Sequence, residues 1–338
     1  MSSALERTPA GAGYVEAGES AVWIERADRA LVRMHGRDPL RMIQGLVTND
    51  VAGAPPGRAV YAALLTPKGK MLADLRVFRR PGEVLLECAA GARGNVTDTL
   101  RKFVPPLFAR FEPVEDRGVL GLYGPTARAV LARALGVQPA SDTPEHATFE
   151  GTLDGGEAVV ARTLYAGVDG WDIIASVDTI AALRTWLEER DIARLDADAL
   201  DVLRIEAGRP RWGAELTEEV IPLEAGLRAH MISETKGCYT GQEVIVRILH
   251  RGHVNWHLRG MVLGDTAPPA PGTPLLHAED GRKVGRITSA CASPARGQTI
   301  GLGYARRELM LPASLRIGQV SGPEAIVVEL PFVPTSAP

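Results

Sequence analysis

Residues 236–243 read Lys-Gly-Cys-Tyr-Thr-Gly-Gln-Glu, and no other stretch of the 338-residue chain concentrates as much chemistry. One thiol, Cys238, sits beside glycine and just before the apolar run Val244–Leu249. Thr240 and Glu243 have the Thr-x-x-Glu spacing of a capping box, which predicts a helix over 240–251 stopped by Gly252. The partial positive charge of a helix N-terminus favours thiolate over thiol, and Lys236 adds a nearby cation. Free cysteine is also among the most buried and inert residue types, so a packed thiol is the competing reading. The glycines, the lysine and the cap favour a reactive one.

Moving outward, the composition is that of an ordinary globular protein, with 45% hydrophobic and 23% charged residues. The length predicts two or three domains. A net charge of −3 gives no global basic character, so stable nucleic-acid binding is not expected. Cys88, Cys238 and Cys291 are far apart and form no Cys-x-x-Cys pair. That argues against a disulfide framework or a self-contained zinc or iron–sulfur site, and fits a reducing compartment. No signal-peptide core and no membrane-spanning apolar run is legible, so the expectation is a cytoplasmic protein without a membrane partner. Neither a Gly-x-Gly-x-x-Gly nor a Walker loop occurs, which disfavours dinucleotide and P-loop folds.

Periodicity divides the chain into a mobile tail over 1–17, a core over 18–254 and a C-terminal domain over 255–338. In the core, Asp38 and Pro39 open a short helix stopped by Gly45. Residues 59–89 read as a strand meander turning at Thr66-Pro67-Lys68-Gly69-Lys70. Helices are predicted from Asn95 to Phe103, from Ile180 to Glu189 and from Asp196 to Ala207, the last with Gly208 at C′. Residues 137–156 read as loop, and Glu157–Leu164 with Trp171–Ser176 as a strand pair. From Leu258 onward, short strands broken by Gly and Pro predict a small β-barrel.

Four further features invite chemistry. Arg247 and Arg251 lie one turn apart on a helix expected to be largely buried, so each needs an anionic ligand or a protein carboxylate. Glu206 stands at a helix C-terminus, where a carboxylate is unfavourable. Either it accepts paired N–H donors from a heterocycle, or it pairs with Arg204 or Arg209. His250, His253 and His257 match no ligand spacing, and no metal is assigned. Lys68 and Lys70 would contact phosphate or a polyglutamate tail, or simply cover a solvated hairpin.

Taken in order, these blocks resemble a known family. Lys236-Gly237-Cys238-Tyr239-x-Gly241-Gln242-Glu243 resembles the signature of the YgfZ-type folate-binding proteins, within the superfamily of the glycine-cleavage T-protein, an aminomethyltransferase. Gln44–Asp50, Leu65–Lys70, Leu203–Gly208, Pro222–Leu227, Val284–Ser289 and Ser293-Pro294 resemble its other blocks. The resemblance implies an α+β, three-domain cloverleaf, with antiparallel sheets plus helices and a small C-terminal β-barrel around a central folate pocket. It implies tetrahydrofolate or a folate derivative as cofactor. Glu206 would be the pterin-binding glutamate, joined in folate binding by Arg247, Arg251, Tyr239 and Gln242, with Cys238 and Lys236 as catalytic candidates. The aminomethyltransferase branch resembled here carries a catalytic aspartate after the 84–88 strand, where this chain reads Glu87-Cys88-Ala89-Ala90-Gly91-Ala92-Arg93-Gly94. The expectation is therefore an accessory protein for iron–sulfur cluster assembly or repair and iron–sulfur-dependent tRNA modification. Its partners would be iron–sulfur enzymes or cluster-assembly proteins. A folate-dependent aminomethyltransferase or methyltransferase is the alternative.

Overall fold

A computed structural model of the chain describes residues 10–332. Its strands form two sheets and a closed barrel. The first sheet has the spatial order Val60–Leu65, Met71–Arg80, Glu83–Ala89, Arg29–His35 and Arg110–Val114, all antiparallel. The second has the order Ala193–Arg194, Val22–Glu25, Arg117–Tyr123, Gly170–Ser176, Gly156–Thr163 and Thr148–Leu153. The chain passes from the second sheet to the first between Glu25 and Arg29, and returns between Val114 and Arg117. The two sheets are thereby interleaved in sequence.

Side-chain alternation decides what each face carries. On the strand Met71–Arg80, Ala73, Leu75 and Val77 pack into the core of the first sheet with Val96 and Leu100 of the helix Arg93–Phe103. The opposite face presents Asp74, Arg76 and Phe78 towards the second sheet. Phe78 joins Leu31, Leu85, Val119, Val159 and Ile174 in a buried seam between the sheets. On the strand Gly170–Ser176, Asp172 and Ile174 share a face in the same way. One end of the seam is therefore apolar, and the other is charged and buried.

The barrel runs Trp256–Gly264, Gln298–Arg306, Lys283–Ser293, Pro274–Leu276, Ala313–Ile317 and Glu324–Val328. Closure leaves no free strand edge. The helix Ala197–Glu206 packs on it. There Arg204 is fully buried and donates to Asp201, to Glu215 and to Ser289 Oγ, while Thr288 and Ser289 also donate to Glu215. This satisfied network ties the core to the barrel. No helix among the described residues is long and apolar enough to cross a membrane.

The α+β class and the C-terminal barrel are as expected. So is the Asp38 cap, which accepts from Arg41 N–H; Asp196, read as the first residue of its helix, is the N-cap and accepts from Ala199 N–H. Three local readings differ. Residues 1–9 of the expected tail lie outside the described residues, but residues 10–17 are docked. Ala12 N–H donates to Asp196 at 2.7 Å, and Tyr14 opens the short helix Tyr14–Glu19. Thr148–Leu153, read as loop, is an edge strand paired with Gly156–Thr163. The capping box does not form: the helix is Gln242–Arg251, its N-cap is Gly241 at φ 83°, and no side chain caps it. The reason is the neighbouring hairpin. A Cβ at Gly241 would come within 2.6 Å of the Thr66 carbonyl, and one at Gly69 would meet Val244 at 3.0 Å. Backbone packing sets this helix start, and Gly241 supplies the left-handed turn it needs.

Candidate functional site

At the charged end of the seam lies a cavity of about 380 Å³, within the range of small-molecule sites. Its walls come from both sheets and from the 209–230 segment that leads towards the barrel. The floor is a run of ion pairs, buried except at its Asp28 end. Arg26 donates to Tyr123 Oη and pairs with Asp28; Tyr123 donates to Asp172; Asp172 pairs with Arg76 at 2.7 Å. Arg76 also pairs with Glu87, whose other oxygen takes Arg29 at 2.8 Å. Burial alone pushes the Glu87 carboxyl up, and the two guanidiniums overcome it, holding it down to about 2. The two strand registers explain the alignment: Arg76 stands opposite both Tyr61 and Glu87.

Against this compensated floor one carboxylate stands out. Asp74 is 7% exposed and lines the cavity. Its Oδ2 accepts the Tyr61 phenol at 3.2 Å, whereas its Oδ1 is buried without a partner among the described residues. Burial raises the Tyr61 phenol well above its ordinary range, so it acts as a donor. An orphaned buried carboxylate oxygen costs about 1–3 kcal/mol or more. A ligand that supplied a donor would remove that cost, so the residues present fit a heterocycle with N–H groups. Beside Tyr61, the His146 ring stacks at 5.5 Å and 27°. Arg209 and Arg211 stand at the wall with His230 and Trp212. Arg209 faces Glu145 at 3.4 Å, and Arg211 faces Asp201 at 3.1 Å.

The candidate site residues named from the sequence lie elsewhere: none of Cys238, Lys236, Glu206, Arg247, Arg251, Tyr239 and Gln242 lines this cavity. Glu206 is buried, but its carboxylate accepts Tyr14 Oη at 2.9 and 2.8 Å, Ser293 Oγ, and Ala295 N–H at 3.4 Å. It is saturated by the N-terminal helix and the barrel, and pairs with neither Arg204 nor Arg209. Lys236 is buried and donates to the carbonyls of Gln44, Val47 and Asn49 at 2.6, 2.6 and 3.0 Å. Burial pulls its ammonium down to about 8, opposed by Asp50. It fastens the 44–50 block to the 236–243 block instead of attending the thiol. Tyr239 is buried, with the Lys236 Nζ 5.3 Å from its ring centre. Cys238 is exposed. The helix Gln242–Arg251 buries only Ile245 fully, and Arg247 and Arg251 are exposed. The expectation of a largely buried helix with arginines in need of partners is thus corrected: the helix lies on the surface. Lys70 donates to the Glu219 carbonyl at 2.6 Å. Among the described residues no group of three or more His, Cys, Asp or Glu side chains could hold a metal.

The residues that build the cavity did leave a sequence signal. Asp74 and Arg76 interrupt the apolar run Met71–Phe78 at a spacing of two, as Asp172 interrupts Gly170–Ala175. Charges on the inward face of an apolar strand must find buried partners or a ligand.

Comparison with known proteins bears on this arrangement. Residues 17–234 match the family described as the GCVT N-terminal domain, and residues 257–333 match the glycine cleavage T-protein C-terminal barrel domain. The aminomethyltransferase of Rubrobacter xylanophilus is 32% identical over 304 residues, covering 89% of this chain and 80% of that protein. That of Moorella thermoacetica is 30% identical over 89% of this chain and 83% of its own. The aminomethyltransferase T of the Bartonella henselae glycine cleavage system has the same fold. Its TM-score is 0.84 at 23% identity, over 95% of this chain and 89% of that one. These relatives overturn the iron–sulfur accessory role expected from the sequence, because they carry the aminomethyltransferase name along nearly the whole chain.

Proposed function

The chain belongs to the glycine cleavage T-protein family, and from that premise we propose that it is a folate-dependent one-carbon transferase of the aminomethyltransferase type. On this reading it is a member of the YgfZ-type branch, supported by the likeness of the 236–243 block to that signature, with Lys236 bracing the fold and Cys238 outside the reaction centre. The observation that carries the proposal is Asp74, a buried carboxylate on the wall of a ligand-sized cavity, with one oxygen unpartnered among the described residues. The aspartate sought after the 84–88 strand is supplied from the neighbouring strand.

Asp74, oriented by Tyr61, would hold the pterin of tetrahydrofolate. When bound, tetrahydrofolate supplies a nucleophilic ring nitrogen that accepts a one-carbon unit. Asp74 contributes negative charge in a low-dielectric wall, where positive charge develops during transfer. The Tyr61 phenol fixes the orientation of that carboxylate through Oδ2 and leaves Oδ1 free. The paired floor of Arg26, Arg29, Arg76, Asp28, Glu87 and Asp172 keeps the surrounding field nearly neutral, so the Asp74 charge is not cancelled. The pocket mouth carries Arg209 and Arg211, suited to the carboxylates of a glutamyl tail.

The direct test is incubation with tetrahydrofolate and an aminomethylated lipoyl carrier, followed by release of ammonia. Stoichiometric release supports the proposal; none, with folate bound, removes it.

A further inference from the structure

Asp74 has a counterpart. The Nδ1 of His146 is also buried without a hydrogen-bond partner among the described residues, and His146 lines the same cavity. Its ring stacks on Tyr61, the residue that orients Asp74.

The backbone at this position is strained. His146 has φ 70°, in the left-handed region that a residue other than glycine or asparagine adopts at a cost of about 1–3 kcal/mol. Two hydrogen bonds hold it there. Its N–H donates to the Arg162 carbonyl at 3.0 Å, and its carbonyl accepts Ala59 N–H at 2.8 Å. Arg162 belongs to the second sheet, and Ala59 directly precedes the first strand of the first. Both sheets therefore pin one residue where they meet, and its ring is turned to the cavity instead of to solvent or an apolar core. Strain maintained from two sides around an unpartnered imidazole is the pattern of a residue kept for a ligand.

We propose that His146 is a specificity-determining residue of this cavity, whose imidazole hydrogen-bonds the heterocycle of the bound folate. The inference rests on the folate reading above. Burial holds the ring neutral near pH 7, with its pKa brought down to about 4 against the opposing pull of Glu145. A neutral imidazole offers one N–H donor and one lone pair. That combination suits a pterin edge, where donors and acceptors alternate, and complements the acceptor-only Asp74.

The test uses the full chain, titrated calorimetrically with tetrahydrofolate, with thermal unfolding in parallel. His146→Phe keeps a ring for the Tyr61 stack and removes both nitrogens. His146→Asn tolerates the left-handed backbone and places an amide near Nδ1. The expected result is about tenfold or greater loss of affinity for the Phe variant. The Asn variant should stay within about threefold of wild type. Equal affinity of wild type and His146→Phe overturns the inference alone. A loss as large in His146→Asn as in His146→Phe also overturns it, assigning the effect to packing. Should the Phe variant not fold, His146→Gly, free of the backbone strain, is read in its place by the same criteria. A wild-type chain that does not bind tetrahydrofolate overturns the folate reading and this inference together.

Discussion

Tyr61 donates its phenolic proton to Oδ2 of Asp74 at 3.2 Å, while Oδ1 of the same carboxylate is buried and receives no hydrogen bond from the described residues. The buried carboxylates beside it are matched: Glu87 pairs with Arg29 and Arg76, and Asp172 with Arg76, while Arg26 reaches out to the exposed Asp28. Asp74 is thus the carboxylate in excess. Asp74→Asn removes a buried charge without changing shape, so the melting temperature should hold or rise. Turnover should fall by about 100-fold or more, the scale for losing a preorganised charge. A less stable variant with unchanged turnover would assign Asp74 to the fold.

The ion-pair floor is predicted to matter for stability. Arg76→Met leaves Glu87 and Asp172 each short of a partner inside the protein. Breaking a buried pair from one side costs about 3–5 kcal/mol. Urea denaturation should show that loss, and a second change, Glu87→Gln, should recover part of it because the two residues touch.

Much of the fold could be read in the sequence because it follows from local rules. Asp38 before Pro39 and Gly208 after the 196–207 helix are caps whose chemistry is complete within a few residues. Gly241 is different. Its role depends on the Thr66 carbonyl, which is distant in sequence, so the Thr-x-x-Glu spacing pointed to a cap that packing forbids. The site was harder still. Cys238 and Glu206 carry conspicuous local context, yet one lies on the surface and the other is consumed by Tyr14 and Ser293. Asp74, Tyr61, His146 and Asp172 come from different strands and a loop, and only sheet pairing brings them together.

Acid should weaken the protein partly through His146. Its folded-state pKa, about 4, lies below the ordinary value of 6.5 because burial disfavours the charged ring. Between these values the unfolded chain binds more protons, so stability rises with pH through the window and is lost as pH falls from about 6.5 to 4. Glu145, Arg76, Arg58 and Arg209 act on the same ring. The difference between wild type and His146→Asn isolates the imidazole. Unfolding free energies should show a steeper acid slope for wild type, amounting to about 1–3 kcal/mol across the window. Parallel slopes would contradict the buried neutral ring.

Surface and core should separate cleanly around residues 236–243. Cys238→Ala, at an exposed position, should leave folate binding and melting temperature unchanged. Gly241→Ala should cost about 1–3 kcal/mol, since the left-handed φ and the Thr66 carbonyl both oppose a Cβ. Thermal unfolding of both variants checks the pair.

The most direct measurement is a single turnover. Wild type and Asp74→Asn, each first shown to bind tetrahydrofolate, would be mixed with an aminomethylated lipoyl carrier, and methylenetetrahydrofolate and ammonia followed in time. The account predicts equal amounts of both products from wild type, and a rate lower by about 100-fold or more from the variant. No product from folate-loaded wild type, or equal rates from the two proteins, would contradict it.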